Sequence, residues 1–237
     1  MMNSVDIRNS VKKYMEGNWD VRQANTVPED STLTLTGRVA KLDATVLYAD
    51  MGASSKLVDE VKQRVAGKTY QAFLHSLASI IHSNGGEITA YDGDRVMGIF
   101  IGNNKNDSAA KSALMIKYAL KDILKPMLEG HFKSLNSSSF QISHCVGIDT
   151  GSFLAVKAGL RNANDIVWIG RPPNLAAKLS EIREGNYSEY ITSEVFQGLS
   201  NSLKYGGEKS ELMWEKRPYR YLDEDITIYR SHYYLPF

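Results

Sequence analysis

Cysteine is nearly absent: the chain of 237 residues has one, Cys145, inside an apolar strand pattern. No intramolecular disulfide is possible, and a reducing compartment fits. Neither sign of charge is in excess, because 28 Lys and Arg against 27 Asp and Glu leave a net +1. That removes any general electrostatic case for binding nucleic acid or a membrane surface. No run approaches eighteen apolar residues, and the first residues form no apolar h-region, so a cytoplasmic protein is expected. The histidines (His75, His82, His131, His144 and His232) lack metal-ligand spacing. No P-loop, GxGxxG or nucleophile elbow is present. Internal repeats are also missing. What remains is 43% apolar residues, enough for one sizeable core.

Hydrophobic period and punctuation give the coarse order of elements. Residues 1–32 read as an N-terminal arm, with a short helix over 11–15 and a loop at VPEDS. The remainder, 33–237, reads as one domain. Extended chain is predicted over 31–39, and a first core strand over 45–49. Helices are predicted over 56–65 and 68–83, the second with Tyr70, Phe73, Leu74, Leu77, Ile80 and Ile81 at helical spacing and Gly85-Gly86 at its end. A helix over 107–124 is expected to stop near Pro126, followed by a flexible serine run over 135–139. A strand over 140–148 is expected to turn at Asp149-Thr150-Gly151. A strand over 166–169, a helix over 172–183, a short strand over 190–192 and strands over 212–216 and 226–229 complete the reading. Strands interleaved with helices argue for an α/β (α+β) domain.

Two stretches carry possible chemistry. Gly85–Phe100, GGEITAYDGDRVMGIF, reads as a hairpin whose Asp-Gly turn carries Asp92 and Asp94. Taken alone it is equally a solvated hairpin tip. Ala44–Ser55, ATVLYADMGASS, is an apolar strand that ends at Asp50. A carboxylate there is costly unless a cation meets it. Asp50 and Asp94 together have the chemistry to share divalent cations that also grip a phosphate chain.

At these residues the sequence resembles the catalytic domain of class III nucleotidyl cyclases. VLYAD-MG is followed by GGE-x5-DGD-xxMGxF, and DIVWIGRPPNLAAKL resembles that family's Gly-x-x-x-Asn-x-Ala-Ala-Arg segment. The resemblance runs roughly from Leu33 to Tyr229. It implies a ferredoxin-like sheet and a head-to-tail homodimer with composite active sites. It also implies two divalent metal ions per site, Mg²⁺ or Mn²⁺, held by Asp50, Asp94 and the Met51 carbonyl. Asn174 matches the family's ribose-orienting asparagine, and Lys178 stands where a transition-state arginine is usual. Lysine keeps the charge but not the planar fork. Lys216, with Arg217, is a candidate for holding the triphosphate.

The base pocket departs from the purine enzymes. Their base-reading positions correspond here to Ala90 and Val167, and neither reads a purine edge by hydrogen bonding. Tyr91-x-x-x-Arg95 instead resembles the (Arg/Tyr)-x-x-x-Arg pattern of the bacterial pyrimidine cyclases of the Pycsar antiphage system. A three-residue turn would make Tyr91 and Arg95 cross-strand neighbours. Tyr48, on Asp50's side of its strand by period-two spacing, either narrows the pocket or is a core residue.

The resemblance thus implies a lyase that makes a 3′,5′-cyclic nucleotide second messenger on phage infection, read by a separate effector. UTP is expected over CTP because Tyr opens the pattern. The rivals are an adenylate or guanylate cyclase with unusual base contacts and a degenerate dimerisation module.

Overall fold

A computed structural model describes residues 3–237. Helix α1 (Ser4–Glu16) is longer than its apolar pattern suggests. Asn3 caps it by accepting from Val5 N and Asp6 N, and Asp6 returns a bond to Asn3 N, a reciprocal capping box. None of its side chains is buried. Strand β1 (Asp20–Gln23), not expected from the sequence, runs parallel to the start of β2 (Arg38–Gly52). The arm therefore contributes a strand to the sheet.

Next come α2 (Ser54–Glu60) and α3 (Gln63–Ser83), separated by a break at Val61-Lys62. Helix α3 buries Ala66, Thr69, Phe73, Leu77, Ile80 and Ile81, the stripe that its spacing predicts apart from Tyr70 and Leu74, which are only partly buried. Gly85, at φ +84°, ends it. The hairpin of β3 (Glu87–Asp92) and β4 (Arg95–Phe100) follows.

Helix α4 (Lys105–Tyr118) passes into a π-helical turn over Ala119–Leu124 and then into α5 (Lys125–His131) and α6 (Lys133–Asn136). Pro126 thus does not stop the helix as expected. It sits in the first turn of α5, where a missing N–H donor is tolerated, and the chain ahead of it widens into a π-helical turn. The expected turn at Asp149–Gly151 is also absent. Strand β5 (Ser143–Leu160) runs through it, because β2 continues alongside and pairs Thr45 with Thr150 and Ala44 with Gly151. Strand β6 (Ala163–Ile169) folds back on β5.

Helix α7 (Arg171–Ser180) ends three residues before its predicted limit. Then come β7 (Glu189–Thr192), α8 (Ser193–Gln197), α9 (Asn201–Lys204), a small β8–β9 pair (Tyr205–Gly206 with Glu211–Leu212), β10 (Glu215–Tyr221) and β11 (Glu224–Ser231). The sheet runs β10-β11-β7-β5-β2-β4-β3. No helix among the described residues is long and apolar enough to cross a membrane.

Two layers of helix cover this sheet. Leu47, Ala49, Val96 and Val146 point to α3 and α4, while Val46, Met97 and Cys145 point to the α7 side. Helix α7 lies so close that a Cβ on Gly147 would collide with the Ala176 carbonyl and fall 2.5 Å from the Ser180 nitrogen. The missing side chain sets the height of α7 above β2 and β5.

Asp149 sits fully buried at the same sheet surface. It accepts from the Thr192 hydroxyl at 2.7 Å, while its second oxygen is 3.5 Å from Arg171 Nε and accepts no hydrogen bond among the described residues. Burial pushes its carboxyl up from 3.8 to about 6. A raised acid stabilises the fold below its unfolded value and loses that contribution as pH rises through the folded value. Ionisation at pH 7 therefore costs on the order of 3 kcal/mol. We expect Asp149→Asn to gain melting temperature relative to wild type as pH rises from 4 to 7. Parallel melting curves for the two proteins across that range would refute it.

Candidate active site

Strand β2 is central, and its end delivers Asp50 to the edge of the α7 face. The antiparallel register sets Asp50 opposite Arg95 of β4 and Cys145 of β5. One residue on, Met51 N donates to the Asp94 carbonyl at 3.3 Å. The hairpin turn is thereby tied to the strand end, with Asp94 beside Asp50. Gly93, at φ +61°, occupies the first turn position, where a tight two-residue hairpin needs glycine.

Asp50 is only 8% exposed. Burial raises its carboxyl above the ordinary range, and the charge of Asp94 raises it further, while the bond from Arg183 opposes both. Arg183 Nη2 donates to Asp50 Oδ2 at 2.5 Å, and Arg95 Nε lies 3.6 Å from Asp50 Oδ1. Arg95 also reaches Glu181 at 3.4 Å, and Glu181 holds Lys178 at 3.2 Å. Charges of alternating sign thus run Lys178, Glu181, Arg95, Asp50, Arg183. Nothing in the sequence flagged Arg183 or Glu181. Both fall within or next to the stretch read as the end of a helix, and only the early stop of α7 turns them toward Asp50.

Both carboxylates and the Met51 carbonyl offer oxygen only, a donor set suited to hard divalent cations. No group of three His, Cys, Asp or Glu converges as a metal cage among the described residues. Two guanidinium groups now face the buried Asp50 carboxylate, which shows that this point of the fold demands positive charge. The residues fit hard divalent ions by donor chemistry.

Tyr48 shares this face, half-buried against Ala90 and the apolar residues around Met97. Burial is the main cause that raises its phenol, with the Arg95 charge lowering it and that of Asp92 raising it. Tyr91 does not join them. The turn has two residues rather than three, so Asp92 pairs with Arg95 and Tyr91 with Val96. A one-residue change of register moves a side chain to the other face. Tyr91 therefore projects with Val96 toward the α3 side and is 58% exposed.

Of the other sequence-derived candidates, Lys178 joins this cluster only at its outer end, through Glu181. Asn174 and Lys178 share the outer face of α7, both exposed. Val167 pairs with Val156, eleven residues along β5 from the Asp50 partner Cys145. At a strand rise of about 3.3 Å that is roughly 35 Å away. Lys216 aligns through Tyr229, Ile191 and Ile148 with Leu47, four strand spacings or roughly 19 Å from β2. Arg217, its expected companion, is committed to Glu184 together with Arg230.

No family model matches the chain. It is 43% identical over 218 residues to a uridylate cyclase of Xanthomonas perforans, covering 92% of this chain and 91% of that one. It is 39% identical over 229 residues to a uridylate cyclase of Rhodovulum sp. (strain MB263), covering 97% and 95%. A uridylate cyclase of Burkholderia cepacia is 39% identical over 228 residues, covering 95% of each. Among solved structures, a bacterial light-regulated adenylyl cyclase superposes with a TM-score of 0.69 at 20% identity, over 83% of this chain and 53% of that one. The chain thus spans about half of that longer protein. The adenylyl cyclase CyaB from P. aeruginosa superposes with a TM-score of 0.67 at 19% identity, over 81% and 95%. A strand-end carboxylate with a second one held beside it by a hairpin turn, the class III cyclase fold around them and close relatives along nearly the whole length converge, and the chain belongs to the uridylate cyclase family of class III nucleotide cyclases.

Proposed function

We propose that this enzyme converts UTP to 3′,5′-cyclic UMP and pyrophosphate. One observation carries the reading: the β3–β4 turn holds Asp94 beside Asp50 near the end of β2, where the fold already draws positive charge. The names of the three relatives favour uracil, and the Tyr-x-x-x-Arg pattern, resembling that of the pyrimidine cyclases, agrees. CTP is the alternative pyrimidine substrate. By the same resemblance the product is a second messenger in antiphage defence, read by a separate effector, in the cytoplasm.

The reaction forms a bond from the ribose 3′-oxygen to the α-phosphorus, breaks the bond to pyrophosphate and removes the 3′-hydroxyl proton. Two divalent ions, Mg²⁺ or Mn²⁺, when bound, would acidify the 3′-hydroxyl and neutralise the phosphates. Asp50, Asp94 and the Met51 carbonyl would hold them. Arg95 stands beside Asp50 on the Tyr48 side, where it can meet a pyrimidine carbonyl or the phosphate chain. Tyr48 narrows the same face toward the size of a single ring. Ala90 offers no hydrogen bond and leaves room. Tyr91 projects from the other face, so Arg95 is proposed to act without it.

Within one chain the exposed Asn174 and the distant Val167 and Lys216 do not complete this cluster, and Lys178 touches it only through Glu181. That supports a head-to-tail homodimer in which they serve the partner's aspartates.

Three tests follow. The purified protein with Mn²⁺ and each of the four nucleoside triphosphates should yield mainly cyclic UMP by mass spectrometry, at least tenfold above the others. Asp50→Ala and Asp94→Ala should each abolish it. Equal cyclic CMP would reduce the reading to a pyrimidine cyclase, and a purine product would overturn it.

Because Arg95 shares the face of Asp50 and Tyr91 does not, Arg95→Ala should lower kcat/KM at least tenfold more than Tyr91→Ala, at similar melting temperatures. Equal losses would restore a joint role for the pair.

Asp94→Ala and Lys178→Ala, each inactive alone, should recover roughly a quarter of wild-type activity after subunit exchange, since half the dimers then carry one intact site. No recovery after tagged pull-down confirms exchange would place the site within one subunit.

A further inference from the structure

A cavity of about 790 Å³ lies on the α4 side of the sheet, walled by Lys117, Lys121 and Lys125 on one side and by Arg183 and Tyr187 on the other, with Tyr234 at its edge. That is the size of a nucleotide-scale pocket. The π-helical turn over Ala119–Leu124 forms part of the lysine wall, and such widened turns recur at ligand sites.

The wall carries more positive charge than its acids neutralise. Lys117 is balanced by the fully buried Glu189 at 3.0 Å, and Lys125 shares Glu129 at 3.9 Å. Lys121 has no carboxylate partner among the described residues and rests over the Tyr234 ring at 4.5 Å. Glu184, the one carboxylate in the lining, is already held by Arg217 and Arg230. Arg183 has its acid, Asp50, outside the cavity. Rings are at hand as well, with Tyr187 edge-on to His232 at 5.5 Å.

Arg183 ties the cavity to the catalytic cluster. Its Nη1 donates to the carbonyls of Ser180 at 2.7 Å and Ile182 at 2.9 Å, while Nη2 reaches Asp50. Its guanidinium crosses directly over Gly52, where a Cβ would come within 3.5 Å of Arg183 Nε. The guanidinium thus stands between an acid that needs a cation and a pocket that lacks an anion.

We propose that this cavity is a second ligand site, for a small molecule that joins phosphate to a planar ring, a nucleotide by chemical class, and that its occupant competes with Asp50 for Arg183. The phosphate is met by Lys121, Lys125 and Arg183, and the ring by the tyrosines. With Arg183 turned to the phosphate, Asp50 is left to divalent cations. The occupant and the metal then strengthen each other's binding by one and the same factor. The coupling rests on the assignment of Asp50 as a metal ligand, whereas the cavity's own binding does not.

Uridine 5′-monophosphate, titrated by calorimetry into the metal-free full chain, tests the site. Lys121→Glu combined with Lys125→Glu should weaken it at least tenfold without changing the melting temperature. Asp50→Asn combined with Asp94→Asn should leave it bound, which separates the cavity from the catalytic cluster. Unchanged affinity in the lysine variant, loss in the aspartate variant, or no binding to wild type would each overturn the second site.

Free Mn²⁺ measured by electron paramagnetic resonance tests the coupling. Saturating uridine 5′-monophosphate should tighten Mn²⁺ binding about fivefold or more, within the usual range of such couplings. Arg183→Ala should bind Mn²⁺ more tightly than wild type and show no response to the nucleotide. A nucleotide that binds without shifting Mn²⁺ affinity would overturn the coupling while sparing the cavity. Mn²⁺ that fails to bind under any condition would overturn the metal assignment, and the coupling with it, while the calorimetry still decides the cavity.

Discussion

A carboxylate at the buried end of a central strand has to be met by positive charge, and the layout of the site follows from what meets Asp50. Its neighbour Asp94 makes the need larger rather than smaller, because two adjacent carboxylates repel. In the protein alone the need is answered by Arg183 and Arg95. Such an arrangement is held by mutual neutralisation, so adding or withdrawing one cation redistributes the rest. Glu181 and Lys178 extend the alternation onto the outer side of α7.

The scaffold holds this arrangement in place through close approach. The long pairing of β2 with β5, from Ala40 to Gly52, keeps Asp50 at a set depth. Gly147 lets α7 lie on the strands, and the end of α7 at Ser180 then aims Glu181 and Arg183 at the strand end. The last strands are tied to the same turn, since Arg217 and Arg230 both hold Glu184. The segment from Glu181 to Ser188 is in this way a junction between the face that carries Asp50, the carboxy-terminal hairpin and the α4 wall.

Sequence reasoning succeeded where short-range chemistry decides. The stripe of α3, the glycine stop at Gly85 and the carboxylate at the end of the apolar strand are all local patterns with local physical causes. It failed where a partner strand or a distant side chain decides. The run through Asp149–Gly151 looks like a turn until β2 lies beside it, and Pro126 looks like a stop until the chain widens ahead of it. The register of the hairpin illustrates the limit: Asp-Gly-Asp permits a turn of two residues or of three, and the difference moves Tyr91 to the opposite face of the sheet from Arg95.

Residue spacing along the chain was enough to recognise the family and to single out Asp50 and Asp94, because each depends on which residue stands at a given position. Which cation meets Asp50, on which face Tyr91 projects, and how far Lys216 and Val167 lie from the aspartates of their own chain came from the folded arrangement. Those outcomes depend on strand register and helix termination, which are set by packing energies summed over the whole sheet rather than by any one residue.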